Sequence, residues 1–407
     1  MIEILNLLAS LILILVICIF LLFFNKSFIF KRISFYFFGL SSLIAILNHY
    51  YSIFSPLPDA DSFHYLSTKF IKNTFYGGST YINQSVGAMF FVKFFVVPIY
   101  LVFGNNPLNV ILINNFLITL VFIMIVKVSE YIALYFNDSD LSLRRKSRIE
   151  LLSFGLVFFY PSLFMYRMFL LRDPLIIFAI ILFIYSLLLI FTMKINKKSI
   201  TFFIVSILLI GFIRPQNVPI LIICIIIYTV FFWKIKIVPK LGIILFIFAI
   251  VFLFSETQVF RFINLINPSY LMSYRYSQVI QFNSYLSDIN YYSWFEVIKY
   301  IPQTSFYYLL TPFFWEPASY RYLIPSIDSL FNFSIFILLI FSLKAQNKNS
   351  NKIKKYISFL VIFSLVSFVS YSVVEVYMGG AVRHRMQQII LLLPIVIGWL
   401  SSRKGKD

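Results

Sequence analysis

The chain has 407 residues, of which 61% are hydrophobic, 20% aromatic and only 12% charged, and its mean hydropathy is +0.91. Soluble domains carry about 25% charged residues, so a soluble protein is excluded, and apolar runs recurring from end to end imply one all-α polytopic membrane domain over 1–407. The net charge of +19 would suggest nucleic acid in a soluble protein; in a membrane protein it reports sidedness, and no nucleic-acid partner is expected.

In chain order, Met1–Phe24 opens with Glu3, has a long apolar core and lacks an Ala-x-Ala site, so it reads as a retained first helix. Further apolar segments follow at 34–52, 85–104, 108–129, 150–166, 174–193, 200–213, 218–233, 241–255, 326–343, 356–375 and 386–401. Each is near the length that spans about 30 Å of hydrocarbon. Cys18 and Cys224 sit inside apolar runs, so neither a disulfide nor a cysteine metal site is expected.

The connecting segments alternate in charge. Lys26, Lys31 and Arg32, then Arg144, Arg145, Lys146 and Arg148, then Lys194, Lys197 and Lys198, then Lys234, Lys236 and Lys240 mark one side. Lys344, Lys348, Lys352, Lys354 and Lys355, and finally Arg403, Lys404 and Lys406, continue the series. Cytoplasmic loops carry the Lys/Arg excess. All of these segments share one side only if a single candidate between 53 and 129 fails to cross. Segment 85–104, interrupted by Lys93 and Pro98 and followed by Pro107, suits a re-entrant or surface-lying helix. About eleven crossings are then expected, with the N-terminus external and the C-terminus cytoplasmic. On that topology 22 basic and 5 acidic residues are cytoplasmic, and 12 basic and 10 acidic residues external.

Two external loops are long, 53–108 and 256–325, and long loops without structure are rare outside functional sites. The first opens Ser55-Pro56-Leu57-Pro58-Asp59-Ala60-Asp61-Ser62-Phe63-His64. Asp59 or Asp61, behind two stiffening prolines, could serve as a general base at the membrane surface or cap a short helix at 62–73. An Asp pair could also hold Mg²⁺, only weakly. His49, His64 and His384 lack metal-ligand spacing, so no metal site is expected. No Gly-rich phosphate loop is present.

Three short corners carry the other signal. Tyr160-Pro161-Ser162 precedes Leu171-Arg172-Asp173-Pro174, with Arg167 nearby; Ile213-Arg214-Pro215-Gln216 and Gly379-Gly380-Ala381-Val382-Arg383-His384-Arg385 stand at the same membrane depth. External loops are otherwise poor in positive charge. Arginine is the preferred residue for bidentate phosphate contact, so a pyrophosphate at the membrane boundary would draw on several of them. Gly379 and Gly380 would let backbone approach a ligand. The competing reading pairs these arginines with the external acids Glu256, Asp288, Glu296, Glu316, Asp328 or Glu375. Loop 256–325 holds eleven tyrosines plus Trp294 and Trp315, which could stack on sugars but also gather at any bilayer interface.

The Pro-Asp-Ala-Asp first loop, Val102-Phe103-Gly104-Asn105-Asn106 ahead of a spanning helix, Tyr160-Pro161-Ser162 with Leu171-Arg172-Asp173, Arg214-Pro215, and Arg383-His384-Arg385 with Pro394 form an order of short motifs over most of the chain. This order resembles the GT-C type membrane glycosyltransferases and is similar to the O-antigen and exopolysaccharide repeat-unit polymerases. The resemblance implies a bacterial inner-membrane enzyme that takes a glycan from an undecaprenyl-diphosphate-linked donor and transfers it with inversion to an acceptor sugar on the external side, in lipopolysaccharide, capsule or exopolysaccharide biosynthesis. It implies Asp59 or Asp61 as catalytic base, and Arg172, Arg214, Arg383 and Arg385 on the donor diphosphate, with His64, Asp173 and His384 as further substrate contacts. A polyprenyl-diphosphate-linked oligosaccharide, membrane lipid and a chain-length regulator protein are the partners it implies, with no cofactor. Here the first long loop follows the second predicted helix instead of the first. The alternative is a flippase or exporter of the same lipid-linked unit, which would want charges in the midplane of the bundle.

Overall fold

Apolar runs with polar or proline-marked ends dictate helices, and the computed structural model is mostly helical over its described residues, 2–24, 28–55, 57–76, 85–136, 141–192, 196–231, 267–281, 284–313, 315, 323–345 and 351–403. Among these the only β pairing is an isolated bridge between Ser284 and Tyr377. The helices are α1 (Ile2–Phe24), α2 (Phe28–Tyr51), α3 (Pro58–Tyr76), α4 (Val86–Phe103), α5 (Pro107–Phe136), α6 (Leu143–Phe158), α7 (Pro161–Tyr166) and α8 (Asp173–Thr192). They continue as α9 (Lys197–Ile213), α10 (Asn217–Phe231), α11 (Pro268–Gln281), α12 (Trp294–Leu310), α13 (Leu323–Lys344), α14 (Asn351–Val374) and α15 (Met378–Ser402). Seven of the described helices are long and apolar enough to cross a membrane by length and composition, and the chain is a multi-pass, all-α membrane protein. The expected span 241–255 lies outside the described residues.

Local chemistry sets several boundaries. The Asn196 side chain accepts from Ser199 N at 2.8 Å while the Ser199 hydroxyl faces Asn196 N, a reciprocal cap that starts α9. Ser293 and Glu296 form the same device at α12. The expected span 150–166 is divided: α6 ends at Phe158, Tyr160 is extended, and Pro161 opens the short α7, because proline cannot continue a helix but fits its first turn. The expected span 386–401 begins earlier, at Met378, so Arg383, His384 and Arg385 belong to the helix and not to a loop before it.

Helices α5 and α15 form the centre. Both are buried over most of their length, and they approach so closely at Gly398 that a Cβ there would lie 2.9 Å from Ile132 Cγ2 and 3.1 Å from the Ala133 nitrogen. Helix α2 packs an aromatic cluster inward, Phe37 stacking on Phe122 at 4.9 Å and edge-on against Phe154 and Phe158. The outer faces of α1 and α13 are apolar and exposed, with Leu11, Ile12, Leu15, Leu330 and Phe341 among them, as lipid contact requires.

Both loops expected to be external contain helices: α3 and α4 in 53–108, α11 and α12 in 256–325. Helix α4 is unbroken, with a π-turn at Val92–Val96 around Lys93, whose amine lies 5.2 Å from the Phe70 ring centre. No reversal occurs within it, so it is not a re-entrant hairpin. Its two ends meet the same end of the bundle. At the start, Gly87 lies against Ile213 O, which Arg172 Nη1 also reaches at 3.5 Å. At the finish, Phe103 O accepts from Asn109 Nδ2 at 2.8 Å, and five residues further along α5 the Asn114 amide donates to Leu171 O at 2.9 Å, next to Arg172. Those α5 positions are about 7.5 Å apart along the axis, whereas 18 helical residues extend about 27 Å. Helix α4 therefore starts beside Ile213 and Arg172 and finishes beside Asn109.

Gly398→Val is expected to destabilise the protein by about 1–3 kcal/mol, since the added carbons meet the α5 backbone. A thermal melt of the detergent-solubilised protein checks this, and an unchanged melting temperature would contradict the packing of α5 on α15.

Candidate functional site

The end of the bundle met by the start of α4 gathers three connections: 159–172 between α6 and α8, the Arg214 corner between α9 and α10, and Glu375–Tyr377 between α14 and α15. Prolines make each of the first two abrupt. Pro161 starts α7, Pro174 sits in the first turn of α8 behind Asp173, and Pro215 biases Arg214 away from the helical region, which it leaves at φ −137°.

Asp173 and Arg214 form a buried ion pair, Nη2 to Oδ1 at 2.6 Å with both side chains 2% exposed. Asp173 heads α8, where the helix dipole also favours a carboxylate. Arg172, only partly buried, donates to Ile213 O, and Gly87 is needed beside it because a Cβ would lie 2.1 Å from that oxygen and 3.1 Å from Arg172 Nη1. Burial lowers the Arg172 guanidinium pKa to about 10; neighbouring Arg214 adds to the fall, Asp173 and Asp59 oppose it, and Arg383 lowers it further. Arg172 remains a cation at neutral pH.

Arg383, on the first turns of α15, pairs with Asp59 of α3 through Nη1 and Oδ2, and its Cζ lies 5.4 Å from the Tyr166 ring centre. Arg383 is 19% exposed and Asp59 50%. Asp59 and Asp61 are about 200° apart around a helix, so only one can face this cluster. Asp61 instead neighbours His64, whose Nδ1 meets the Tyr100 hydroxyl at 2.7 Å. Burial lowers the His64 pKa against the opposing pull of Asp61.

His384 Nδ1 lies 3.0 Å from Glu375 Oε2, and its ring packs on Tyr371 at 4.2 Å between centres. The Tyr371 hydroxyl donates to Asn217 Oδ1, at the start of α10. The two glycines of α15 serve protein contacts: a Cβ at Gly380 would strike the Glu375 carboxylate at 2.4 Å, and one at Gly379 the Tyr377 hydroxyl at 2.6 Å. The space expected to admit a ligand is thus filled by the chain itself. Beneath, a water-sized cavity is lined by Asn217, Ser367, Tyr371, His384, Gln387 and Gln388.

Arg385 faces the other way. It is fully buried, its Nη2 3.0 Å from Asp328 Oδ2 and its Nη1 donating to Tyr308 O at 2.9 Å, Leu309 O at 2.6 Å and Thr311 O at 2.8 Å. These carbonyls belong to the last turn of α12, where no intrahelical donor remains. Asp328 also accepts from Ser162 N and Asn332 Nδ2, and Asn332 accepts from the Tyr160 hydroxyl. Arg385 is committed to holding α7, α12, α13 and α15 together. Arg167, close to Arg172 in sequence, also turns inward: its Cζ lies 4.3 Å from the Phe158 ring centre and 5.0 Å from that of Phe164.

The sequence-derived set thus separates. Asp59, Arg172, Asp173, Arg214, Arg383 and His384 come together, while Asp61, His64 and Arg385 lie on other faces. Sequence reasoning missed Gly87, Tyr166, Asn217, Tyr371 and the structural use of Glu375. Of these only Glu375 carried a signal, as an external acid within reach of an arginine corner. Among the described residues no three or more His, Cys, Asp or Glu side chains form a metal-ligating group. No family model, curated protein or solved structure matches the chain.

Arg385→Met is expected to cost about 3–5 kcal/mol of stability, the usual size for removing one partner of a buried, hydrogen-bonded ion pair, whereas Arg383→Met, at a partly exposed pair, costs under about 1 kcal/mol. Equal melting temperatures for the two variants would refute this division.

Proposed function

We propose that this protein is a membrane glycosyltransferase, of the repeat-unit polymerase type, which transfers a glycan from a polyprenyl-diphosphate-linked donor to an acceptor sugar on the external side of the bacterial inner membrane. The observation that carries the reading is the grouping of Arg172, Arg214 and Arg383 with the half-exposed carboxylate of Asp59 at one end of an otherwise apolar bundle. Guanidinium groups suit a diphosphate leaving group, whose charge grows as the glycosidic bond breaks. A carboxylate beside them suits removal of the acceptor hydroxyl proton. The likeness to GT-C type glycosyltransferases in the order of short motifs points the same way.

In this reading Arg172 and Arg383 contact the diphosphate directly and Arg214, held by Asp173, reinforces the positive field. Asp59 is the base, because it faces the arginines and Asp61 does not. His384 lies under the cluster, against the Glu375 carboxylate, and orients the start of α15. Arg385 serves the fold. Helix α4 lies at the external membrane surface and, with α3, roofs the site, which stays open sideways to lipid so that a polyprenyl tail can remain in the bilayer. The charge alternation of the connecting segments supports a topology of about eleven crossings with the N-terminus external and the C-terminus cytoplasmic.

Purified protein reconstituted with a lipid-linked repeat unit tests the assignment. Chain growth without other proteins is expected. Movement of the lipid across the bilayer without bond formation would identify a flippase instead. Arg172→Lys and Arg383→Lys are each expected to lower the rate about 10- to 100-fold, the loss of one charged hydrogen-bonding interaction of about 1.5–3 kcal/mol. Asp59→Asn is expected to lower it about 10²–10⁴-fold, the usual contribution of a general base, with Asp61→Asn near the wild-type rate. Full glycan length in both arginine variants would overturn the assignment.

A further inference from the structure

The pairing of Asp59 with Arg383 joins a proposed base to a proposed diphosphate ligand, so in the free protein each occupies the other. We infer that this ion pair is a donor-operated latch: the diphosphate of the donor takes Arg383 from Asp59, and the carboxylate is released to the acceptor only once the donor is seated. The inference rests on the glycosyltransferase reading and adds an order of binding to it.

Three observations carry it. The pair is the accessible one of the cluster: Asp59 is 50% exposed and Arg383 19%, against 2% for both members of the Asp173–Arg214 pair and none for Arg385 and Asp328. An anion arriving from the membrane surface can therefore compete for Arg383 without opening the core. Next, Asp59 lies in the electrostatic field of Arg172 as well as of Arg383, so one multiply charged diphosphate, able to engage both guanidiniums, replaces a single carboxylate between them. Finally, Asp59 stands on the first turn of α3, whose buried face of Ala60, Phe63 and Leu66 is directed toward α4, Phe63 meeting Phe91 edge-on at 5.1 Å. The link from α2 into α3 passes Ser52, which holds a left-handed φ of 49°. Breaking the ion pair frees the first turn of α3 while its later turns stay docked on α4.

The chemistry balances. With Arg172 and Arg383 on the diphosphate, the acceptor oxygen forms a bond to the anomeric carbon as the bond from that carbon to the diphosphate oxygen breaks. The electron pair leaves with the diphosphate, and the hydroxyl proton passes to Asp59. Before the donor binds, the carboxylate is engaged by Arg383 and does not meet the acceptor, which protects the site from premature binding of glycan.

Binding of undecaprenyl diphosphate to the full-length protein in lipid nanodiscs tests the latch. Asp59→Asn removes the competitor, so binding is expected to tighten about fivefold, the limit set by a partly exposed ion pair. The same substitution in an Arg383→Gln background is expected to change the affinity little, because the gain operates through Arg383, and Asp61→Asn controls for loss of a negative charge on α3. Hydrogen exchange supplies a second readout: amides of the first turn of α3 should exchange faster in the wild-type protein with undecaprenyl diphosphate bound. Equal or weaker binding by Asp59→Asn, or equal tightening by Asp61→Asn, would overturn the latch while leaving the glycosyltransferase reading in place. Absence of undecaprenyl diphosphate binding by the wild type would overturn both.

Discussion

An apolar helical bundle cannot hold an unpaired charge cheaply, and the arrangement of this protein follows from how three of its arginines and His384 are partnered. Taking a guanidinium out of water costs several kcal/mol unless an acid or a set of carbonyls replaces the lost hydration. Arg214 meets Asp173 across two helical corners, Arg385 meets Asp328 and the end of α12, Arg383 meets Asp59, and His384 meets Glu375. The three arginine pairs join elements well separated in the chain, and the His384 contact closes the corner between α14 and α15. Together they determine which helix ends lie side by side.

The depth of a pair decides what it can do. Arg385 has its two terminal nitrogens on a carboxylate and three carbonyls and no exposure, so it is a structural clamp. Arg383, two residues earlier and about 200° around the same helix, emerges toward α3 and keeps a partner that solvent can reach. One helical turn thus supplies a buried brace and a surface cation. The same division separates Arg167, enclosed by phenylalanine rings, from Arg172.

Helix α4 brings Gly87 to the cluster. Its start is tied to Ile213 and Arg172 and its finish to Asn109. Gly87 makes the first contact possible, since any side chain there would collide with a carbonyl oxygen. Helix α3 then lies against α4 with Asp59 at its start, over the arginines. In the proposed reading this surface serves a ligand that keeps a lipid tail in the bilayer and brings only its charged head to the protein.

Composition and charge order by themselves determined the membrane class, most helix positions and the three arginine corners. These are properties of local apolar length, proline position and charge, which need no knowledge of neighbours. The sequence left Asp59 and Asp61 equivalent, placed Arg385 with Arg383, and read Gly379 and Gly380 as room for a ligand. Only the tertiary structure decided among them, because each depends on which face of a helix meets which partner: Asp59 turns to Arg383, Arg385 turns to Asp328, and Glu375 fills the space over Gly380. Charge can be counted along a chain, but its pairing is a matter of rotation about helix axes and of contacts between segments hundreds of residues apart.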